Sequence, residues 1–267
     1  MSDTPVAGVA FAKPAVAASF SRAAPGYDGV AEIQRTVGGW LMQSIQRQQE
    51  LTSALDVGCG SGALTAELAR RLPMADVDAI DIAEGMLDVA ATTHPHPRAA
   101  YYVGDAEAIP FDDKSFELVF CNFVLQWCPS PVRALTEMRR VLRRNGQLVL
   151  SLPGSGTLAE LAGAWREADG GTHVHPFADA DTVAEWVDAA GFAHVDIVER
   201  TRRLQVDDAR TLMRELKTLG AHNLHPARAP TLTGKGTLAR MLAAYERRRE
   251  AGGLPVTWKI LMVTARR

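Results

Sequence analysis

Residues 53–63 read Ser-Ala-Leu-Asp-Val-Gly-Cys-Gly-Ser-Gly-Ala, and no other stretch restricts the possible fold as tightly. A short apolar run closes on Asp56-Val57, and glycines follow at alternate positions, Gly58, Gly60 and Gly62. Leu64, Leu68, Ala69 and Leu72 then recur at i, i+4, i+5 and i+8, one face of a helix. A strand that turns through glycines straight into a helix belongs to an α/β sheet whose strand ends carry ligands. Side chains would block both the tight turn and the approach of a ligand to N–H groups at the helix N-terminus.

From this turn to residue 152, strand-like and helix-like runs alternate. Ala54–Val57, Val77–Ile82, Tyr101–Val103, Leu118–Cys121 and Gln147–Leu152 read as strands, and Leu64–Leu72, Met86–Ala91 and Val132–Leu142 as helices. Near-continuous apolar strands between helices predict a parallel sheet covered on both faces. Right-handed crossovers then bring the strand C-termini to one edge.

After Pro153 the pattern changes. Helices are expected over Leu158–Ala168 and Asp181–Ala190, with a loop at His173–Phe177 and Gly191 as a C-cap. Long strands follow at Val195–Val206 and Val256–Ala265. Between them, residues 207–253 read as a helical, basic insertion between two antiparallel edge strands, with helices near Ala209–Leu219 and Leu238–Arg249.

Upstream, helical stretches at Ala15–Ala23 and Val30–Glu50 flank a break at Pro25-Gly26, where Asp28 is a plausible N-cap and Tyr27 a candidate pocket residue. The expected organisation is a flexible tail (1–12) and helical lid within 1–50, a core at 51–206, the insertion at 207–253 and a last core strand at 254–267.

Composition excludes several classes. No apolar run among the 267 residues reaches membrane-span length, and the N-terminus has no basic segment of a secretory signal. Cys59, Cys121 and Cys128 are too few and irregular for a disulfide framework or zinc site, so a reducing cytoplasm is expected. The net charge of −2 conceals an asymmetry: residues 1–198 carry 14 Lys and Arg against 25 Asp and Glu, residues 199–267 carry 15 against 6. The basic third is either a set of solvated helix faces, Arg247-Arg248-Arg249 above all, or a patch for an acidic partner.

Polar groups collect at four predicted strand ends: Asp56 with the glycines, Asp81, Asp105 with Glu107, and Asn122 with Gln126 and Trp127. Gly58-x-Gly60-x-x-Ala63 formally satisfies a dinucleotide fingerprint, with Asp81 for the ribose. Yet Asp56, next to the glycines, would repel a pyrophosphate. It suits S-adenosylmethionine, which carries an ammonium and a sulfonium and no phosphate, and no hydride-transfer acid is evident. His94 and His96 lack further ligands at metal-site spacing. No nucleic-acid-binding segment is evident.

Leu55-Asp56-Val57-Gly58-Cys59-Gly60-Ser61-Gly62 resembles the first motif of class I S-adenosylmethionine-dependent methyltransferases. Asp81 matches their ribose acid. Gly104-Asp105-Ala106-Glu107-Ala108-Ile109-Pro110-Phe111 matches their adenine-contacting stretch. A narrower resemblance covers nearly the whole chain. Ser19-Phe20-Ser21-Arg22-Ala23-Ala24-x-x-Tyr27-Asp28, Asn122 through Cys128, Gly156 through Leu161 and Leu212 through Lys217 are similar to malonyl-[acyl-carrier protein] O-methyltransferases of biotin synthesis. His173-Val174-His175-Pro176-Phe177 departs from that pattern, which leaves His175 without a role.

The resemblance implies a Rossmann-like, mostly parallel seven-stranded sheet with an antiparallel last strand. It also implies methyl transfer from S-adenosylmethionine to the free carboxylate of malonyl on acyl carrier protein or CoA. Cofactor-binding residues would be Asp56, Gly58, Gly60, Gly62, Asp81, Ile82, Met86, Asp105, Ala106, Glu107 and Asn122. Tyr27 and Gln126 are candidate neutral donors to the malonyl carboxylate, with Tyr27 closing over the methyl region, and Arg214 or Lys217 would pair with that carboxylate. Arg22 and Arg35 are the other candidate cations. A carboxylate is ionised at neutral pH, so no strong base is needed. Two alternatives stand beside this reading: a methyltransferase for a quinone precursor or free acid, and a non-catalytic S-adenosylmethionine-binding protein.

Overall fold

The computed structural model describes residues 12–219 and 234–267. Residues 1–11 of the expected tail (1–12) and residues 220–233 of the basic insertion lie outside the described residues.

Five strands, β1 (Ser53–Val57), β2 (Asp76–Asp81), β3 (Ala99–Val103), β4 (Phe116–Asn122) and β5 (Leu142–Pro153), pair in parallel in the order β3-β2-β1-β4-β5. Two more, β6 (Ala193–Val206) and β7 (Leu254–Arg266), complete one seven-stranded sheet as β5-β7-β6, with β7 antiparallel to both neighbours. The sequence placed both long strands at the edge; only β6 lies there. β7 is inserted between β5 and β6, and its nearly continuous burial is the reason, because an edge position would leave Val256, Ile260 and Val263 wet.

The period-2 alternation of each strand sorts its side chains to two faces. Ala54, Leu118, Phe120 and Val149 point to one, against α2 (Glu32–Gln43), α3 (Ala63–Arg71) and α6 (Ala159–Asp169). Leu55, Val57, Val119, Cys121, Leu148 and Leu150 point to the other, against α5 (Pro131–Val141) and α7 (Ala180–Ala189). Two helices of the basic stretch, α8 (Ala209–Thr218) and α9 (Lys235–Glu246), join the first face through Leu212, Met241, Ala244 and Tyr245. Buried Tyr245 donates its hydroxyl to Pro255 O at 2.8 Å, which ties α9 to β7.

The helix at the N-terminus corrects the sequence reading. α1 runs unbroken from Lys13 to Val30 with Pro25 inside it, and the break falls at Ala31. Asp28 is therefore within α1 and caps nothing. An interior proline costs about 3 kcal/mol of helix stability, and tertiary packing offsets it here. α1 lies on α4 (Glu84–Thr93), where Gly85 lets the backbones meet: a Cβ there would sit 3.0 Å from Ser21 Cα. A continuous α1 puts Lys13, Val16, Phe20 and Tyr27 on one stripe at i, i+3, i+7 and i+14.

Among the described residues, no helix is long and apolar enough to cross a membrane. No group of three or more His, Cys, Asp or Glu side chains there could hold a metal ion.

Candidate active site

Strand order reverses between β1 and β4, and loops diverging from such a point leave a crevice at the strand C-termini. The loop after β1 supplies Gly58 and Gly60, and the loop after β4 supplies Asn122, Phe123 and Val124. Gly58 is irreplaceable on two counts: its φ is +73°, and a Cβ would fall 2.2 Å from Val124 Cγ2. Phe123 itself holds φ +59°, a rare conformation for an aromatic residue, at the mouth of the crevice. α1 roofs the crevice with its Lys13–Val16–Phe20–Tyr27 stripe. The result is a cavity of about 730 Å³, partly open to solvent, also lined by Asp81, Ile82, Met86, Asp105, Ala106, Trp127 and Cys128. A second hollow of about 420 Å³ continues behind Tyr27, under the glycine loop, and adds Asp56, Ser61, Gln34 and Arg35. Tyr27, Gly58, Gly60 and Asn122 line both.

The polar groups of the wall are held firmly. Asp81 accepts from Gly60 N at 2.9 Å through one carboxylate oxygen and from Ala83 N at 2.8 Å through the other, leaving lone pairs toward the cavity. Gly58 N and Cys59 N donate to Ile80 O, and Gly62 N to Cys59 O. These four N–H groups are thus already bonded, so the loop is a poor cradle for a pyrophosphate. Asp56 is buried and accepts from Thr65 Oγ1 at 2.6 Å; burial pushes its carboxyl up to about 7, the Thr65 bond opposes this, and Asp81 adds to it. Burial also raises Asp81, against the pull of its backbone donors. A buried carboxyl that feels a second, half-buried one is costly without a compensating cation. The chemistry of this donor set suits a ligand with a positive centre and a vicinal diol.

Tyr27 is kept protonated mainly by burial and further by Asp81 and Asp28, so its hydroxyl is available to donate. Asn122 is fixed at both ends of its amide: Nδ2 donates to Gln34 O at 3.1 Å, and Oδ1 accepts from Ser151 Oγ at 2.8 Å.

The roof is pinned at three places. Lys13 Nζ lies 2.6 Å from Asp105 Oδ2 and 2.8 Å from Glu107 Oε2. Phe20 meets Trp127 edge to face at 5.4 Å. Asp28 accepts from Ser61 Oγ of the glycine loop, and its other oxygen lies 2.7 Å from His94 Nε2.

The structure brings Tyr27, Asp56, Gly58, Gly60, Asp81, Ile82, Met86, Asp105, Ala106 and Asn122 to these cavities and leaves five expected residues out. Gly62 turns the chain into α3, where a Cβ would collide with Ala90 and Tyr101. Glu107 is buried beneath the cavity wall, holding Lys13 and accepting from Ser130 N at 2.8 Å. Gln126, in a one-turn 3₁₀ helix, donates Nε2 to Phe123 O at 2.7 Å and lines neither cavity, while its Oε1 is buried with no hydrogen-bond partner among the described residues. Arg214 and Lys217 are exposed on α8 and line neither cavity, because Ala209, Leu212, Met213 and Leu216 claim the core side of that helix. Sequence reasoning missed Lys13, Val16 and Phe20 as a cavity wall; their helical spacing to Tyr27 was the available signal, hidden by the assumed break at Pro25. Arg35, one of four candidate cations, is the one that reaches the second hollow.

Comparison with known proteins assigns the chain to the methyltransferases. Residues 55–150 match a family described as a methyltransferase domain. Phosphoethanolamine N-methyltransferase 2 of Haemonchus contortus, solved with S-adenosyl-L-methionine, shares the fold with a TM-score of 0.59 at 15% identity, over 92% of this chain and 57% of that one. Malonyl-[acyl-carrier protein] O-methyltransferase of Methylococcus capsulatus is 43% identical over 234 residues, 87% of this chain and 85% of that protein. The bifunctional biotin-biosynthesis protein BioHC of Cellvibrio japonicus is 42% identical over 93% of this chain, which spans about half (49%) of that longer protein. The chain belongs to the malonyl-[acyl-carrier protein] O-methyltransferase family.

Proposed function

We propose that the protein methylates the free carboxylate of malonyl held as a thioester on acyl carrier protein, using S-adenosylmethionine and forming a methyl ester for biotin synthesis. The observation that carries this reading is the cavity itself: roofed by α1, lined by the carboxylates of Asp81 and Asp105 and built around a glycine loop whose N–H groups are already bonded. When bound, S-adenosylmethionine supplies an electrophilic methyl on a positively charged sulfur. Asp81 would hold the ribose hydroxyls, with Ile82, Met86 and Ala106 against the adenine. Asp56 and the glycine loop would face the methionyl end, with Arg35 opposite its carboxylate. Asp105, neutralised by Lys13, would close the adenine side.

The chain's part in the chemistry is to orient and to dry. A malonyl carboxylate arrives ionised, so the wall needs no general base. Tyr27 and Asn122, which line both hollows, and Phe123 in the first would align the carboxylate oxygen with the methyl. Such alignment supplies several kcal/mol of the barrier reduction. Opposite charges cancel along the reaction path, so excluding water by the Phe20–Trp127 contact favours it. The substrates are those of a cytoplasmic enzyme.

The test is a methylation assay with malonyl-carrier protein, malonyl-CoA and free malonate in parallel. Methyl ester on the carrier at the highest kcat/KM is expected. Turnover confined to free malonate or to an unrelated acid would replace this reading with that of a small-molecule methyltransferase.

A further inference from the structure

The basic excess of residues 199–267 is not spread evenly. Part of it is neutralised by ion pairs: Arg203 pairs with Glu250, Arg247 and Arg248 share Glu167, Arg249 pairs with Glu246, and Lys259 with Glu199 at 2.7 Å. On α8 it is not. Arg210, Arg214 and Lys217 stand at i, i+4 and i+7, all exposed, and none forms an ion pair with a carboxylate of the described residues. Asp208, at the head of the helix, caps it by accepting from Arg210 N, Thr211 N and Thr211 Oγ1, and those bonds, with a smaller contribution from Arg214, hold its carboxyl below the ordinary value. Three like charges one turn apart on a helix repel one another and destabilise it. Pairing with carboxylates would relieve that repulsion, so the stripe is suited to a negative charge that arrives from outside.

Its position relates it to the site. α8 packs against α1, and Thr218, next to Lys217, comes within 3.4 Å of where a Cβ on Gly26 would lie. Gly26 precedes Tyr27, which lines both hollows. The cationic stripe thus ends beside the roof of the active site, on its outer side.

We propose that the Arg210–Arg214–Lys217 face of α8 is the surface on which the acyl carrier protein docks, and that these cations bind the carrier rather than its malonyl group. This rests on the carrier being the substrate. A carrier of this kind is acidic, so its charge complements the stripe and leaves the thioester arm free to enter beside α1. Charge pairing at a rim chiefly raises the association rate, and salt screens it.

The test uses the triple variant Arg210→Glu, Arg214→Glu, Lys217→Glu, together with the milder Arg214→Gln and Lys217→Gln pair. Each is assayed with malonyl-carrier protein and with malonyl-pantetheine, which lacks the protein, and carrier binding is read separately by fluorescence anisotropy. At low ionic strength, carrier affinity and kcat/KM for the carrier substrate are expected to fall about tenfold or more in the triple variant, by several-fold in the pair. Turnover of malonyl-pantetheine should stay at the wild-type level, which also certifies the fold. Equal losses on both substrates, or wild-type carrier binding in the triple variant, would overturn the docking assignment. A wild-type protein that binds the carrier through α8 but methylates no malonyl thioester would instead overturn the proposed reaction and leave the docking face standing.

Discussion

Asp56 illustrates what a single buried carboxyl can cost and supply. Its ordinary pKa is near 4 and burial brings it to about 7, so between those values the folded chain holds a proton that the unfolded chain has released. The sign follows: stability falls as pH rises through that window, and the full penalty is present above it. Asp56→Asn is therefore expected to raise the unfolding free energy of the ligand-free protein by roughly 1–3 kcal/mol at about pH 8 and to change it little at about pH 4. Calorimetry at the two pH values checks this. The same variant should bind S-adenosylmethionine about tenfold more weakly by titration calorimetry, since a buried carboxylate no longer offsets the positive centre. The cysteines make a contrasting case. Burial pushes Cys128 up to about 12 and holds Cys59 and Cys121 well above the ordinary thiol range, so all three should resist iodoacetamide in the folded protein and react once it is unfolded.

The element that converts an open crevice into a closed cavity is α1. It is attached to the core by few side chains: Lys13 on Asp105 and Glu107, Phe20 on Trp127, and Asp28 on Ser61 and His94. The ion pairs are partly exposed and contribute modestly on their own, about 1 kcal/mol or less. Phe20→Ala and Asp28→Ala should thus loosen the roof without unfolding the sheet. Hydrogen exchange is expected to rise across Lys13–Val30 while β1, β4 and β5 keep their protection, and S-adenosylmethionine affinity should fall about tenfold. Unchanged protection of α1 in both variants would mean that its apolar packing on α4 alone holds the roof.

On the scale of the whole molecule, site and fold are linked by ligand binding. Most of the wall residues belong to the sheet edge or to α1, so a ligand that bridges them binds the folded chain alone. At a free concentration about one hundred times its dissociation constant, S-adenosylmethionine should add about 2.7 kcal/mol of stability. That shifts the unfolding midpoint upward by roughly 5–10 °C for a chain of this size. A nicotinamide dinucleotide at the same concentration should produce no shift, because the glycine-loop N–H groups that would meet its phosphates are already bonded.

The strand–glycine–helix turn, the alternation of apolar runs and the acids at positions 56, 81 and 105 were legible in the chain because they are local. A period of two or of 3.6, a glycine at positive φ and a carboxylate at a strand end need no knowledge of distant residues. By itself the sequence determined the α/β class, the parallel core and the edge at which ligands gather. It misjudged what depends on long-range packing. Pro25 reads as a helix breaker until α1 is seen packed along α4, and with α1 intact Lys13, Val16, Phe20 and Tyr27 become one wall. β7 reads as an edge strand until its two buried faces show it lies between β5 and β6. Glu107, Gln126, Arg214 and Lys217 are polar residues in suggestive places, and only tertiary structure decided that the first two serve the cavity's frame and the last two face outward. The physical reason is common to all of these: local pattern specifies which side of an element is apolar, and the rest of the molecule specifies what that side meets.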